Sequence, residues 1–106
     1  MSYEGMENVK FKYKFGRVAN GKRGYDIGFL VWRSLCWAYD FNGNFPVTVE
    51  EVSDWGRENA IVFGSYNIFD RPEQVRSWLL KLVEADLATK ERVGRIERFS
   101  PIYFEE

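Results

Sequence analysis

Histidine is absent from this 106-residue chain, and cysteine occurs only once. Without histidine there is no Ser–His or Cys–His nucleophile pair, and the commonest metal ligand is missing. The lone Cys36 can form no internal disulfide and no zinc site by itself, and its apolar neighbours predict a buried thiol in a reducing compartment. No glycine-rich phosphate loop is present either. We therefore expect no catalytic residues, no metal, no cofactor and no enzymatic activity.

Long apolar runs are also missing. The longest such stretch, residues 27–39, is interrupted by Arg33 and Ser34, and it is shorter than the roughly 20 residues that a membrane-spanning helix needs. The first residues lack the basic start and apolar centre of a signal peptide. These features predict a protein without membrane association that is located in the cytoplasm, and the length predicts a single domain over residues 1–106.

The formal net charge is −1, but the charges are unevenly distributed. Residues 10–33 carry seven basic side chains and one acidic side chain, whereas residues 40–60 carry five acidic side chains and one basic side chain. Such an asymmetry can orient a protein on a polyanion without a high overall pI. A solvated basic strand and loop explain the first cluster equally well.

The N-terminal region predicts one strand and one helix. Val9–Phe15 alternates apolar residues with three lysines, a pattern typical of a half-buried strand with a cationic outer face. The two glycines of Asn20–Gly24 indicate a turn. A first helix follows at about residues 25–40, for which Asp26 is a candidate cap, and it is apolar around almost its whole circumference.

Two further helices are predicted near residues 48–58 and 72–85. Thr48 and Glu51 have the spacing of a capping box at the start of the second helix. The longer connection at residues 57–70 contains the short β-like run 61–63 and a turn. Asp70 is a candidate cap for the third helix and Pro72 suits its first turn.

The last element predicted is a hairpin over residues 87–104, with its turn near Gly94. Its tip is basic, and Pro101 places the returning strand at an edge or a bend. Asp86 before it can adopt the left-handed conformation that ends many helices. The predicted core combines apolar residues from all three helices: Leu30, Val31, Leu35, Val52, Val75, Leu79 and Leu82.

Three helices followed by a hairpin resemble a winged helix-turn-helix domain. Residues 71–87 resemble the recognition helix of bacterial winged-helix repressors, including the GntR type, on the match of Arg71, Val75, Arg76, Leu79, Leu82 and Leu87. The resemblance covers about residues 26–104. It departs from the family at Asp86, where glycine is usual, in the long connection 57–70, and in the strand 9–15. The implied fold class is an α+β winged helix with an extra N-terminal strand.

The resemblance implies binding to double-stranded DNA, with helix three in the major groove and the hairpin, or wing, on the backbone. Gln74 and Arg76 would then read bases, because their side chains can pair with adenine and guanine respectively. Phosphate contacts would come from Arg71, Ser77 and Lys81 on the helix, and from Lys90, Arg92 and Arg95 on the wing, where Arg98 adds a further charge. Glu73 and Glu84 oppose this reading, since they would repel phosphates.

Three functions remain open at this point. The first is a small transcription regulator, and the second is a replication or plasmid-maintenance factor that uses the same helix on DNA. The third is a winged-helix module that binds protein, or a small inhibitor of a cellular machine, without DNA contact. The acidic faces, Leu80 on the solvent side of helix three and the apolar helix one support the third.

Helix one also raises the question of what covers its second apolar side, formed by Phe29, Trp32, Cys36 and Tyr39. Exposed apolar patches of several hundred Å² are rare on soluble monomers. The strand 9–15 can cover this side within the chain. Alternatively, helix one can pack on its copy in a two-fold homodimer, which would suit a palindromic DNA site.

Overall fold

The computed structural model describes residues 11, 14–16, 21–59 and 68–103. Within them, the chain forms an α+β arrangement in which three α-helices precede a two-stranded antiparallel sheet. The helices are α1 (Gly21–Phe41), α2 (Val49–Asn59) and α3 (Pro72–Glu84), and a short 3₁₀ turn at Ile68–Asp70 leads into α3. The strands are β1 (Ala88–Val93) and β2 (Ile96–Pro101). The predicted order of three helices and a hairpin is confirmed.

The hairpin pairs Ala88 with Pro101 at its base and Val93 with Ile96 at its tip. Gly94 turns the chain there with a φ of 65°, which glycine adopts without steric cost. Val47, just before α2, exchanges two backbone hydrogen bonds with Phe99 of β2, at 2.9 and 2.7 Å. This bridge fixes the sheet beside the start of α2, and the sequence analysis did not predict it.

The capping box predicted for α2 is confirmed. Glu51 accepts from the backbone N–H of Thr48 at 2.8 Å, and the N–H of Glu51 donates to the Thr48 hydroxyl at 3.2 Å. The cap predicted for α3 is wrong, because Arg71 occupies that position and Asp70 lies in the 3₁₀ turn. Pro72 begins α3 as expected, and Asp86 follows the helix with a φ of 61°.

The core unites all three helices with the base of the hairpin. Six of the seven predicted core residues are buried, and the seventh, Leu30, is only partly buried against the same cluster. The cluster also takes Phe99 from β2 and Ile68 and Phe69 from the 3₁₀ turn. The connection between α2 and α3 is therefore tied to the core at its end, while the β-like run 61–63 lies outside the described residues.

The N-terminal strand prediction is wrong where it can be checked, because Phe11, Lys14 and Phe15 have helical backbone. The rings of Phe11 and Phe15 lie 5.0 Å apart, whereas residues four apart in a strand are separated by about 13 Å. Positions i and i+4 share a face in a helix as they do in a strand, so the alternation did not distinguish the two. Val9 and Tyr13 lie outside the described residues.

The predicted turn at Asn20–Gly24 and the Asp26 cap are also wrong, because α1 already begins at Gly21 and Asp26 lies inside it. Both glycines of the predicted turn lie within α1. A third glycine of the same helix, Gly28, has a packing role. A Cβ atom there would approach the Phe15 ring to 2.4 Å. The absence of a side chain lets Phe15 lie directly on the helix.

The second apolar side of α1 is largely covered within the chain. Trp32 and Cys36 are buried, and the Phe11 ring lies 5.2 Å from Phe29 and 5.7 Å from Trp32. Trp32 Nε1 also donates to the Leu87 carbonyl at 3.1 Å. Trp32 and Cys36, two of the four residues predicted for a homodimer contact with Phe29 and Tyr39, are therefore covered within the chain. None of the described helices has the length and apolar character of a membrane span.

Candidate nucleic-acid interface

The α3 residues predicted to contact DNA lie along one helix but differ in accessibility. Arg71 precedes the helix and is exposed, Gln74 is partly buried, and Arg76 is exposed. Ser77 is exposed and its hydroxyl donates to the Glu73 carbonyl at 3.2 Å. Lys81 is partly buried, with its ammonium 4.4 Å from the centre of the Trp78 ring. The arrangement leaves Arg76 as the most accessible base-reading candidate.

Of the predicted wing residues, Lys90, Arg92 and Arg95 are exposed on the hairpin and Arg98 is partly buried. Lys90 and Arg92 lie two residues apart on β1 and therefore share one face of the strand. Arg95 follows Gly94 in the turn, and Arg92 Nε donates to the Gly94 carbonyl at 3.2 Å. The hairpin tip thus places two guanidinium groups at its outer end, beyond the part of the sheet that packs on the core.

An ion pair joins α3 to the hairpin. Arg76 donates Nε to one carboxylate oxygen of Glu97 at 2.8 Å and Nη2 to the other at 2.9 Å. Lys90 Nζ lies 3.6 Å from the same carboxylate. The hydrogen bond from Arg76 lowers the pKa of Glu97 to about 2. Desolvation opposes this shift in part, and the charges of the neighbouring cations add to it. The same interaction raises the pKa of Arg76.

This pair changes the interpretation of Arg76. An arginine binds guanine through the same pair of guanidinium hydrogen bonds that Arg76 donates to Glu97. Arg76 can therefore read a base only after it leaves Glu97. Sequence reasoning missed Glu97. The available signal was the two-residue period of β2, which places Glu97 on the same face as the buried Phe99 and therefore towards the helices.

A groove of about 520 Å³ separates the start of α2, the start of α3 and the hairpin. We call it the hairpin groove. Four arginines and three glutamates line it, together with apolar and hydroxyl side chains; the charged residues are Arg76, Arg92, Arg95, Arg98, Glu50, Glu73 and Glu97. The mixed charges make the groove nearly neutral, and they concentrate the positive charge on its hairpin side.

No family model, curated protein or solved structure matches this chain. Functional inference therefore rests on the geometry of its own residues. Within the described part of the chain, no three His, Cys, Asp or Glu side chains are grouped as metal ligands. Cys36 is buried, with 6% of its surface exposed. The arginine and glutamate side chains that line the hairpin groove can bind charged or polar partners.

Proposed function

We propose that the protein is a non-enzymatic, cytoplasmic DNA-binding protein of winged-helix type, and that it acts as a small transcription regulator. In this proposal α3 enters the major groove and the hairpin contacts the backbone as a wing. The observation that carries it is the adjacency of α3 and a hairpin that bears Arg92 at the end of β1 and Arg95 in its turn, both lining the hairpin groove with Arg76. Phosphate neutralisation by such groups supplies most non-specific DNA affinity.

The Arg76–Glu97 pair assigns different tasks to the two parts of this surface. Arg92 and Arg95 supply binding to any sequence, because both are exposed near the hairpin turn. Arg76 contributes sequence discrimination only if a guanine replaces Glu97 as its partner. The exchange costs a charged hydrogen-bonded pair, so we expect weak binding to random DNA and a larger gain on a cognate site.

The experiment is a fluorescence-anisotropy titration of random duplex DNA at salt concentrations from about 50 to 200 mM. We expect affinity to fall steeply with salt. Replacing Arg92 and Arg95 by Ala should flatten the slope of log K against log salt by up to about two units. Arg33→Gln is the control, since Arg33 lies on α1 beside the Phe29 and Trp37 rings, away from the hairpin groove.

Sequence discrimination needs a second measurement with the same variants. After selection of a preferred duplex from a random pool, Arg76→Ala should reduce the ratio of preferred to random affinity, while the double hairpin variant should weaken both duplexes alike. Unchanged affinity in both variants would exclude α3 and the hairpin from the interface.

A second candidate is a protein-binding module that does not contact DNA. The observation that favours it is the neutralised α3 face, on which Arg76 is held by Glu97 and the neighbouring Glu73 lines the same groove. Glu73 would repel phosphates, and the guanidinium of Arg76 is already bound to a carboxylate, so this face is poorly suited to phosphate binding. Absence of DNA binding even at low salt would select this candidate.

A further inference from the structure

A second groove lies on the other side of α2, and nothing in the proposed function uses it. It has a volume of about 260 Å³ and is lined by the end of α1, by Val47 and by one face of α2. The rings of Phe41 and Trp55 stack in it at 4.9 Å with only 12° between their planes. Phe41 is 82% exposed, so the groove offers water a large aromatic surface.

Three carboxylates border this aromatic surface. Glu51, Asp54 and Glu58 repeat at helical spacing along α2, all are exposed, and all line the groove. None of the described residues that line it is basic. Arg57 pairs with Asp54 from outside the lining and also donates to the Phe69 carbonyl at 3.2 Å. We call this site the acidic groove; its chemistry suits an occupant with apolar side chains between positive charges.

The hairpin turn of the same protein has that chemistry. Val93 and Ile96 are cross-strand partners, so they lie on one face of the sheet, and they are 65% and 48% exposed. Arg95 lies in the turn between them, and Arg98, two residues after Ile96 on β2, shares their face of the sheet. We call these four residues the basic tip. Two adjacent exposed apolar side chains at a turn gain from burial, and the two guanidinium groups match the carboxylates of the acidic groove.

The basic tip does not occupy the acidic groove of its own chain. The tip borders the hairpin groove together with Thr48 and Val49 at the start of α2. The acidic groove follows α2 towards its other end, and no hairpin residue lines it. The two surfaces are therefore separate, and contact between them requires two molecules.

We propose that the basic tip of one molecule docks in the acidic groove of a second copy of this chain. The contact joins different surfaces on the two partners, so a growing assembly keeps one free tip at one end and one free groove at the other. Such a head-to-tail interface generates open chains, or rings if the rotation closes. This inference does not rest on DNA binding: Arg95 belongs to both proposed surfaces, but the test below contains no DNA.

The interface is small, and its strength should reflect that. A contact made by only four tip side chains should bury far less than the roughly 1,200 Å² of area that is typical of stable complexes. The association should therefore be weak and dependent on concentration. It should also weaken with salt, since screening reduces attraction between exposed charges beyond about 10 Å at 0.1 M.

The test uses two complementary variants of the full chain. The groove variant combines Phe41→Ser with Glu58→Lys, and the tip variant combines Val93→Ser with Arg95→Glu; these four side chains are exposed, so folding should survive and circular dichroism checks it. Mass is followed by sedimentation velocity from low to high micromolar concentration, at about 50 mM and about 500 mM salt. Glu84→Lys, an exposed charge reversal on α3, is the control.

At low salt the unmodified protein and the Glu84→Lys control should form species larger than a dimer, and high salt should dissociate them. Each variant alone should be monomeric. An equimolar mixture of the two variants should yield a one-to-one dimer and nothing larger, because exactly one intact tip and one intact groove remain to meet. A protein that stays monomeric at low salt, or a mixture without dimer, would overturn the proposal. So would a dimer that persists in both single variants, which would place the contact on a surface other than the tip and the groove.

Discussion

Two buried serines, one on α1 and one on α2, should respond in opposite ways to replacement by alanine. Ser34 on α1 is 3% exposed, and its hydroxyl donates to the Val52 carbonyl at 3.0 Å. Ser53 on α2 is fully buried, and its hydroxyl has no hydrogen-bond partner among the described residues. One hydroxyl is therefore compensated for its loss of water and the other is not.

The expected magnitudes follow from this difference. Ser34→Ala removes one hydrogen bond between the helices and should lower the free energy of unfolding by about 0.5–1.5 kcal/mol. Ser53→Ala removes an uncompensated hydroxyl, whose burial costs about 1–3 kcal/mol by mutational data, and alanine also favours the helix. We expect Ser53→Ala to raise the free energy of unfolding by about 1 kcal/mol.

Urea denaturation, read at constant m value, measures both changes, and each kcal/mol should shift Tm by about 4–8 °C in a domain of this size. Ser77→Ala is the control, because Ser77 is exposed on α3 and such a change should stay within about 0.5 kcal/mol. The reasoning is refuted if Ser53→Ala destabilises by more than about 1 kcal/mol or if Ser34→Ala stabilises the fold.

Three further predictions concern the core, a close contact and the ion pair. Leu79 is fully buried, so Leu79→Ala should cost about 2–5 kcal/mol in denaturant titration, and a loss under about 0.5 kcal/mol would contradict its assignment to the core. Gly56→Ala should destabilise by about 1–3 kcal/mol despite its better helix propensity, because the new Cβ would lie 2.4 Å from the buried Phe69 ring; a more stable variant by thermal scan would show that Phe69 moves freely. The pKa of Glu97 is lowered from 4.5 to about 2, so its ionised form stabilises the fold above about pH 4.5 and this contribution is lost as the pH falls towards 2. The difference in unfolding free energy between the unmodified protein and Glu97→Gln should therefore shrink over that interval, and a difference independent of pH would contradict the pairing.

The elements that were predictable from sequence are those specified by neighbouring residues. Thr48 and Glu51 contain the whole capping interaction within one helical turn, so the start of α2 could be placed. The apolar stripe at Val75, Leu79 and Leu82 identified the buried face of α3 for the same reason. The Gly94 turn between two runs likewise specified the hairpin.

The errors arose where local patterns permit two structures. Phe11 and Phe15 share a face in a strand and in a helix, and contact with Phe29 and Trp32 on α1 accompanies the helical choice. The glycines before α1 indicated a turn, although the helix includes them. In the candidate site, the residues of α3 and the hairpin could be proposed singly, but their pairing could not.

The sequence by itself determined three helices, a hairpin and the buried face of α3, because propensity, capping and periodicity act over one or two turns. Only the tertiary structure decided that Arg76 is held by Glu97, 21 positions away, and that Trp32 donates to Leu87 across 55 positions. It also placed the acidic groove and the basic tip on separate surfaces of one molecule. These contacts join residues distant in the chain, and their geometry depends on how the helices and the hairpin pack rather than on any local pattern.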